Sequence, residues 1–382
     1  MKYSHLTYYL LAILCMMATS CVSDGVMGDC PIDNNDQAVL IEGGKVNFAL
    51  TFPTSSTRGI NGSSEGLASE RTINDVQVYT FVGGKFVEKV KYILISGTNG
   101  DATRFVEGKL TETYMTGTAM DFVVMVNTES KGVQSPTMTK GNSKADLYKQ
   151  LVYSYEGKNW STNIPMWGEG TIASIQSGEY NIGELTLQRA IAKVNVTVND
   201  GKGLENFEIT NVSLHNYNNG GYCAPTNANG QPSIPTNVVK ATTPLSAGSL
   251  SGTQGNNIEN KFYIPEHKNI GVDKAEQLYL KIEAKVKGQI KYYDIMFSEN
   301  GSDYDVLRNY MYVFNITNVK VEVDVNPILE YEVKNQNITY ENEKGDVSTI
   351  TKDFTCDVHD NSGDIIDPGQ DPGVNPGLEP IE

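Results

Sequence analysis

Apolar and polar residues alternate along a short segment near the amino terminus, residues 45–52. In an extended backbone, residues two apart point to the same side, so one face of this segment would be apolar. That face would carry four side chains: Val46, Phe48, Leu50 and Phe52. Pro53 lacks a backbone N–H and ends the pattern. The segment is therefore predicted to be a half-buried β-strand.

Similar short segments recur and are separated by turn-forming residues. Val76–Val82 is followed by Gly83-Gly84, a pair typical of two-residue hairpin turns, and then by Lys85–Val87. Further segments with strand patterns are Phe122–Val126, Leu185–Leu187, Val194–Val198, Leu278–Val286, Lys291–Ile295, Met311–Ile316 and Val319–Val325. Many short strands with little helix predict an all-β chain of two antiparallel β-sandwiches in tandem, divided near residue 188.

One segment, Lys144–Val152, has helical rather than strand spacing. Leu147 and Leu151 are four residues apart, and Asn142 or Ser143 precedes them at a position that suits an N-cap. This is the one helix that the pattern predicts with its own cap, which agrees with a fold that contains few short helices.

The first thirty residues have the pattern of a secretion signal. Lys2 is followed by an apolar stretch, Leu10–Met17, which is too short to span a bilayer, and then by small residues. Residues 1–20 are therefore predicted to be a signal peptide. Cys21 stands where a bacterial lipoprotein carries its acylated cysteine, so we predict that the precursor is attached to the outer membrane by lipid on Cys21. An ordinary secretory signal is the alternative.

Charge and cysteine content narrow the class of protein. The 382 residues include 46 Asp and Glu against 30 Lys and Arg, a net charge of −16, and this excess argues against a nucleic-acid partner. Three cysteines lie beyond Cys21: Cys30, Cys223 and Cys356. They allow at most one disulfide, and the spacing does not select a pair.

No arrangement of residues in the sequence predicts a catalytic or metal site. Three histidines lie beyond the signal, His215, His267 and His359, and without a second ligand at a suitable spacing they are interpreted as surface residues. Gly62–Gly66 matches G-x-S-x-G, but that motif requires a core strand running into a helix, and here it lies in a Ser/Gly-rich loop. We therefore predict no enzyme activity, no metal and no cofactor.

Four groups of residues follow one another in a definite order between residues 21 and 325. They are the lipoprotein signal ending at Cys21; Thr57-Arg58-Gly59, with Glu70–Asn74 ahead of the next strand; Pro165–Glu169; and Leu187–Val194, matched later by Leu307–Tyr312. In this order they resemble the fimbrillin (type V pilin) family of Bacteroidales, whose members build surface fimbriae.

The resemblance implies a fold and a mechanism of assembly. Such pilins are two transthyretin-like sandwiches secreted as lipoproteins, which here implies domains at 59–188 and 189–357, a removable segment at 21–58 and an acidic Pro/Gly-rich tail at 358–382. A protease would cut after Arg58, and the strand with Val46, Phe48, Leu50 and Phe52 would leave. A segment of a neighbouring fimbrial subunit would then replace it. The donor segment of this chain would carry Leu329, Tyr331, Val333, Ile338 and Tyr340.

Several roles stay open at this point. The polar tail after Cys356 is unlike a donor strand and favours an accessory or tip subunit over a shaft subunit, and an anchor that keeps its lipid is a further alternative. Outside these roles, a monomeric surface lipoprotein could bind a glycan or a host or bacterial surface protein through Trp160, Trp167 and the loop Tyr217–Tyr222. Packing in the core is the competing interpretation of those aromatic residues. Arg71 is the competing cleavage site, next to a strand.

Overall fold

The computed structural model describes residues 40–52, 66–156, 158–176, 178–198, 207–228, 230–248, 257–286, 288–299 and 302–320, together with the backbone of further strands beyond residue 320. All of these residues belong to one compact unit, residues 39–382. Short strands joined by turns make up most of it.

The first half of this unit contains two main sheets and a small two-stranded one. Its strands are β1 (Leu40–Glu42), β2 (Lys45–Thr51), β3 (Val76–Val82), β4 (Lys85–Lys89), β5 (Lys91–Ser96), β6 (Thr103–Lys109), β7 (Thr113–Met115), β8 (Met120–Val126), β9 (Val152–Ser154), β10 (Met166–Ile172), β11 (Glu179–Thr186) and β12 (Gln188–Arg189). One sheet has the order β12-β10-β8-β3-β4 and the other β11-β2-β6-β5, while β1 pairs with β7. The helices are a 3-10 helix, Ala68–Arg71, and α1, Lys144–Gln150.

The second half contains two larger sheets. Its strands are β13 (Ala192–Val198), β14 (Phe207–His215), β15 (Gly220–Tyr222), β16 (Leu245–Ser246), β17 (Ile258–Ile264), β18 (Tyr279–Val286), β19 (Gln289–Met296), β20 (Ser298–Glu299), β21 (Ser302–Asp303), β22 (Met311–Lys320), β23 (Ile328–Gln336), β24 (Tyr340–Glu341), β25 (Val347–Ser348), β26 (Asp353–Phe354), β27 (Val358–His359) and β28 (Ile365–Ile366). The sheet orders are β17-β13-β22-β23-β26 and β16-β14-β18-β19-β27-β28. A 3-10 helix, Lys274–Glu276, precedes β18.

Apolar side chains from paired sheets meet in shared cores, which confirms the predicted all-β sandwich fold. In the first half, Leu50 of β2 and Phe122 of β8 belong to one core cluster. In the second half, Val194 of β13 and Ile282 of β18 belong to another. Most neighbouring strands are antiparallel, but β2 with β11 and β13 with β22 are parallel. These partners are distant in sequence, so no hairpin turn dictates their direction.

Two local features follow the sequence closely. Gly83 and Gly84 have φ angles of 55° and 71° and form the turn between β3 and β4, since both positions need the left-handed conformation that glycine adopts easily. Helix α1 begins after Ser143, whose side chain accepts the N–H of Asp146 while the Asp146 carboxylate accepts the N–H of Ser143. Of the two predicted caps, Ser143 is therefore the one used.

The prediction that the histidines lie on the surface was wrong for His267. Its backbone pairs with Val306, and only 2% of the residue is exposed. Burial lowers the pKa of His267 to about 4, so the ring is neutral at pH 7. His215 is half-buried and stacks on Tyr279 with ring centroids 4.8 Å apart. The side chain of His359 lies outside the described residues.

Candidate functional site: the β2 slot

Strand β2 lies inside its sheet, between β6 and β11, and we call the position it fills the β2 slot. Its backbone pairs antiparallel with β6 along the whole strand, from Lys45 to Thr51. On the other side it pairs parallel with β11, where a bulge interrupts the register between Asn181 and Glu184. Removal of β2 would therefore leave two strand edges with unpaired backbone groups facing each other.

The inner face of β2 and the residue after it are buried in the first core. The relative exposures are 0% for Val46, 4% for Phe48, 0% for Leu50 and 4% for Phe52. These side chains share their core with Val78, Phe122 and Val124 of the opposite sheet. Burying one such side chain stabilises a fold by about 1.5–3 kcal/mol, so this face contributes about 6–12 kcal/mol before the cost in conformational entropy.

The outer face of β2 is charged where the strand begins. The Nζ of Lys45 lies 3.1 Å from a carboxylate oxygen of Glu107 on β6 and 3.6 Å from one of Glu179 on β11. Hydrogen bonding to Glu107, helped by the attraction of both carboxylates, raises the pKa of Lys45. The amide of Asn47 also donates to Glu179 at 2.5 Å. One ammonium group thus attracts a carboxylate on each of the two strands that flank β2.

A buried arginine marks the other end of the slot. The Cζ of Arg189 lies 5.7 Å from the centre of the Phe52 ring, a cation–π contact. Its Nε donates to the backbone oxygen of Glu70 at 3.3 Å, and its Nη1 donates to Asn309 at 3.4 Å. Only 4% of Arg189 is exposed, and its Nη2 has no hydrogen-bond partner within the described part of the chain.

Glu70 connects this end of the slot to the second half of the molecule. Its carboxylate lies 2.6 Å from the Nζ of Lys193 on β13, and it accepts the hydroxyl of Tyr263 on β17 at 2.6 Å. Glu70 is 3% exposed and Lys193 9% exposed. Burial alone would raise the pKa of Glu70, but the attraction and hydrogen bond of Lys193, with the bond from Tyr263, outweigh it, so this pKa lies below its usual value.

The structure describes only one of the residues predicted for lipidation or cleavage. Cys21 and Arg58 are both outside the described residues. The competing arginine, Arg71, lies in the 3-10 helix and is held at both ends of its guanidinium. Its Nε donates to the carbonyl of Gly100 at 2.9 Å, and its Nη1 donates to the carbonyl of Gly66 at 2.7 Å. A protease would have to break these contacts to cut after Arg71.

The predicted donor residues are placed only by their backbone. Leu329, Tyr331 and Val333 lie in β23, which pairs antiparallel with β22 of the same chain. Tyr340 lies in β24, and Ile338 is outside the described residues, as are the side chains of the other four. Within this chain, β23 is therefore already a member of a sheet.

The aromatic residues proposed for ligand binding are mainly packing residues. Trp160 is 4% exposed, donates its indole N–H to the carbonyl of Tyr155 at 2.8 Å and stacks on that ring. Tyr217 is 5% exposed and packs edge-on against the same Tyr155. Trp167 is half-buried and donates to the hydroxyl of Tyr148 at 3.2 Å. For Trp160 and Tyr217 the packing interpretation is confirmed.

Groups suited to metal binding are not assembled in the described ranges. No three His, Cys, Asp or Glu residues among them are placed to hold a metal ion. Cys223 is fully buried and free, and burial raises the pKa of its thiol to about 12, so it acts as a packing residue. Cys30 and Cys356 lie outside the described residues. No described helix is long and apolar enough to cross a bilayer.

The sequence analysis did not predict the charged side chains at the two ends of the β2 slot. Glu107 and Glu179 stand in no recognisable motif, Glu70 opens the group Glu70–Asn74 but was assigned no role, and each meets its partner across a large separation in sequence. Arg189 lies inside the group Leu187–Val194, but that pattern assigned it no role. The available signal was a basic residue, Lys45, placed directly before the apolar alternation.

Stacked sheets with apolar cores, and an interior strand near the amino terminus, define an all-β sandwich protein. The sequence model of the family of fimbrillin-A associated anchor proteins Mfa1 and Mfa2 matches residues 27–337, and the chain belongs to this family. This confirms the resemblance to fimbrial proteins of Bacteroidales and places the chain among fimbrial subunit and anchor proteins.

Solved structures of similar proteins come from the same group of bacteria. A candidate cell adhesion protein of Parabacteroides distasonis is 16% identical with a TM-score of 0.49, covering 76% of this chain and 97% of that one. A fimbrial assembly protein of the same species is 15% identical with a TM-score of 0.46, covering 80% and 98%. The fimbrial anchor protein Mfa2 of Porphyromonas gingivalis is 11% identical with a TM-score of 0.33, covering 79% and 98%. Comparison with curated proteins gives no match.

Proposed function

We propose that this chain is a structural, non-enzymatic component of a cell-surface fimbria that accepts an extended segment of a neighbouring subunit in the β2 slot. One observation carries the proposal. β2 is an interior strand with a buried face, yet only β1 precedes it among the described strands. A single cut behind β2 therefore separates it from the rest of the sheet, whereas an interior strand farther along the chain would need two.

The physical consequence of such a cut is a strong tendency to assemble. The emptied slot exposes an apolar groove and the unpaired edges of β6 and β11, and strand addition satisfies both at once. Replacement of the inner face recovers a large part of the about 6–12 kcal/mol that β2 contributes. While β2 is in place, the same groove is filled, so the uncut chain stays monomeric during secretion.

The proposal includes the path to the cell surface. The chain is secreted with residues 1–20 as signal, lipidated at Cys21 and cut after Arg58, so that segment 21–58 leaves with β1 and β2. The two sandwiches, 59–188 and 189–357, and the tail 358–382 remain. The donor segment with Leu329, Tyr331 and Val333 would first have to leave β22. This requirement favours an accessory or tip subunit, which accepts a strand and does not need to donate one.

The test is the amino terminus of the chain in fimbriae purified from cells. Mass spectrometry is expected to find a mature chain that begins at Gly59. A control variant, Arg58→Ala, should accumulate as the lipidated precursor and should not enter fimbriae. A chain that is incorporated while it still contains Cys21 and β2 would contradict the proposal.

A second candidate function is suggested by the family description, which names anchor proteins. An anchor would keep its lipid and its own β2, and it would hold the base of a fimbria to the outer membrane. The same mass spectrometry separates the two roles, since an anchor is found intact in the membrane fraction. Deletion of an anchor should release fimbriae into the medium, whereas deletion of a tip subunit should leave them attached.

A further inference from the structure

We propose that the β2 slot selects its occupant by two marks: Lys or Arg at the position of Lys45, and an aromatic residue at the position of Phe52, seven residues later. Between these marks the occupant carries apolar residues at the positions of Val46, Phe48 and Leu50. This inference rests on the proposed function, in which a segment of another subunit takes the place of β2.

The first mark follows from the charges that stay behind. Glu107 and Glu179 belong to β6 and β11 and remain when β2 leaves. Both lie within 4 Å of the same ammonium group, so without Lys45 they form a pair of like charges across the slot. A cation at that position attracts both carboxylates and offsets their repulsion, a neutral residue leaves the repulsion, and an acidic residue increases it. Half-exposed charges of this kind influence which segment binds and how fast it binds more than they stabilise the bound state.

The second mark follows from Arg189. Its guanidinium is buried against the Phe52 ring, and its Nη2 has no hydrogen-bond partner among the residues described. Loss of Phe52 would leave a buried cation without the ring that faces it. An aromatic residue restores the cation–π contact, whereas an aliphatic residue fills the space without the ring's favourable quadrupole.

The two marks together fix the register and direction of the incoming segment. A shift by one residue would turn the apolar side chains away from the core, so the inner face alone already excludes it. A shift by two residues keeps the apolar face, but it moves the cation away from Glu107 and Glu179 and takes the aromatic residue off Arg189. A reversed segment would place its cation at the arginine end. Only one alignment satisfies both marks.

The candidate donor segment of this chain does not carry them. Between residues 329 and 350, the span of this segment, the basic residues are Lys334 and Lys344, and neither has an aromatic residue seven positions before or after it. The aligned position for Tyr331 is Asp324, an acid, and for Tyr340 it is Val333. The marks therefore point to a segment of a different protein, with a basic residue before three alternating apolar residues and an aromatic residue at the end.

The test is strand exchange in the complete chain without its signal, which still contains β2. A specific protease site is inserted between Thr57 and Arg58, the chain is cut there, and labelled peptides of residues 40–52 compete with the resident strand. The peptide with Lys45→Glu is expected to bind about tenfold more weakly than the natural sequence, because two attractions become repulsions. The peptide with Thr51→Glu adds a carboxylate to the same outer face, away from Glu107 and Glu179, and should bind almost normally. Phe52→Tyr should be tolerated and Phe52→Leu should weaken binding several-fold.

An acceptor with the pair Glu107→Lys and Glu179→Lys should reverse the preference and favour the Lys45→Glu peptide. Equal binding of the natural, Lys45→Glu and Thr51→Glu peptides would overturn the charge mark. Equal binding of the Phe52→Tyr and Phe52→Leu peptides would overturn the aromatic mark. Failure of the natural peptide to exchange at all would instead count against the proposed function, because the slot would then not be replaceable.

Discussion

Strands β2 and β13 are each the second strand of their sheet, and both contain the sequence Lys-Val-Asn at or near the beginning. Lys45-Val46-Asn47 opens β2, and Lys193-Val194-Asn195 lies at the start of β13. Each strand is antiparallel to one neighbour and parallel to the other. Their lysines differ, because Lys45 bridges two half-exposed carboxylates whereas Lys193 is buried against Glu70.

The difference bears on the proposed replacement of β2. Asn195 is also buried, and its side-chain oxygen accepts the N–H of Asn260 at 3.0 Å. Movement of β13 would leave these polar groups buried without partners, which costs far more free energy than the loss of an exposed contact. The polar contacts of Lys45 and Asn47 on β2 face solvent, so water could replace them during the proposed exchange. On that proposal, similar backbone pairing supports one fixed strand and one exchangeable strand.

The largest expected effect comes from breaking the buried pair that holds β13. Glu70→Gln keeps the shape of the side chain but leaves the Lys193 ammonium buried without its counter-charge. The free energy of unfolding should fall by about 3–5 kcal/mol, measured by chemical denaturation at pH 7.

The double variant Glu70→Gln with Lys193→Met is the control. It removes both charges, so it should recover part of the loss, as replacement of a whole buried pair by uncharged groups often does. A single variant as stable as the natural protein would show that the pair does not hold β13.

The next effect concerns the inner face of β2. Leu50→Ala removes a side chain with 0% exposure and should lower the free energy of unfolding by about 2–4 kcal/mol through lost burial and a cavity. Thr51→Ala, on the opposite face of the same strand, is the matched control and should change it by less than about 0.5 kcal/mol. Equal effects would mean that β2 is not held by its apolar face.

The sequence predicted local features well and long-range contacts poorly. The alternation in β2 and the Gly83-Gly84 turn are properties of neighbouring residues, so their structure could be read directly. The pairing of Glu70 with Lys193 joins residues 123 positions apart, and no local pattern encodes it. The burial of His267 also depends on a distant segment, through its backbone pairing with Val306.

A smaller effect is the pH dependence of stability, which depends on His267 in the second half of the molecule. The pKa of His267 is about 4 in the folded chain against an ordinary value of 6.5, so between these values the unfolded chain binds a proton that the folded chain does not. The contribution of His267 to the free energy of unfolding should be fully present above the pKa of the unfolded chain. It should decline as the pH falls toward 4, by about 2 kcal/mol between pH 7 and pH 5. The lowered pKa of Glu70 adds a further loss only below about pH 4.5, the ordinary value of a glutamate.

Denaturation curves at several pH values measure this dependence. His267→Gln is the control, because it keeps a polar side chain that does not titrate and should make stability nearly constant between pH 7 and pH 5. If the stability of the natural protein were equally constant between pH 7 and pH 5, His267 would not be the cause of a pH dependence.

The smallest expected effect is that of Lys45→Gln in the intact chain. Both of its carboxylate partners are about half exposed, and solvent screens them, so the denaturation midpoint should not change measurably. The same substitution in the exchange peptide should weaken binding, because there the charge decides which segment enters an open slot. A strong effect on the intact chain would make Lys45 a stabilising residue like Lys193, and β2 would then be as fixed as β13.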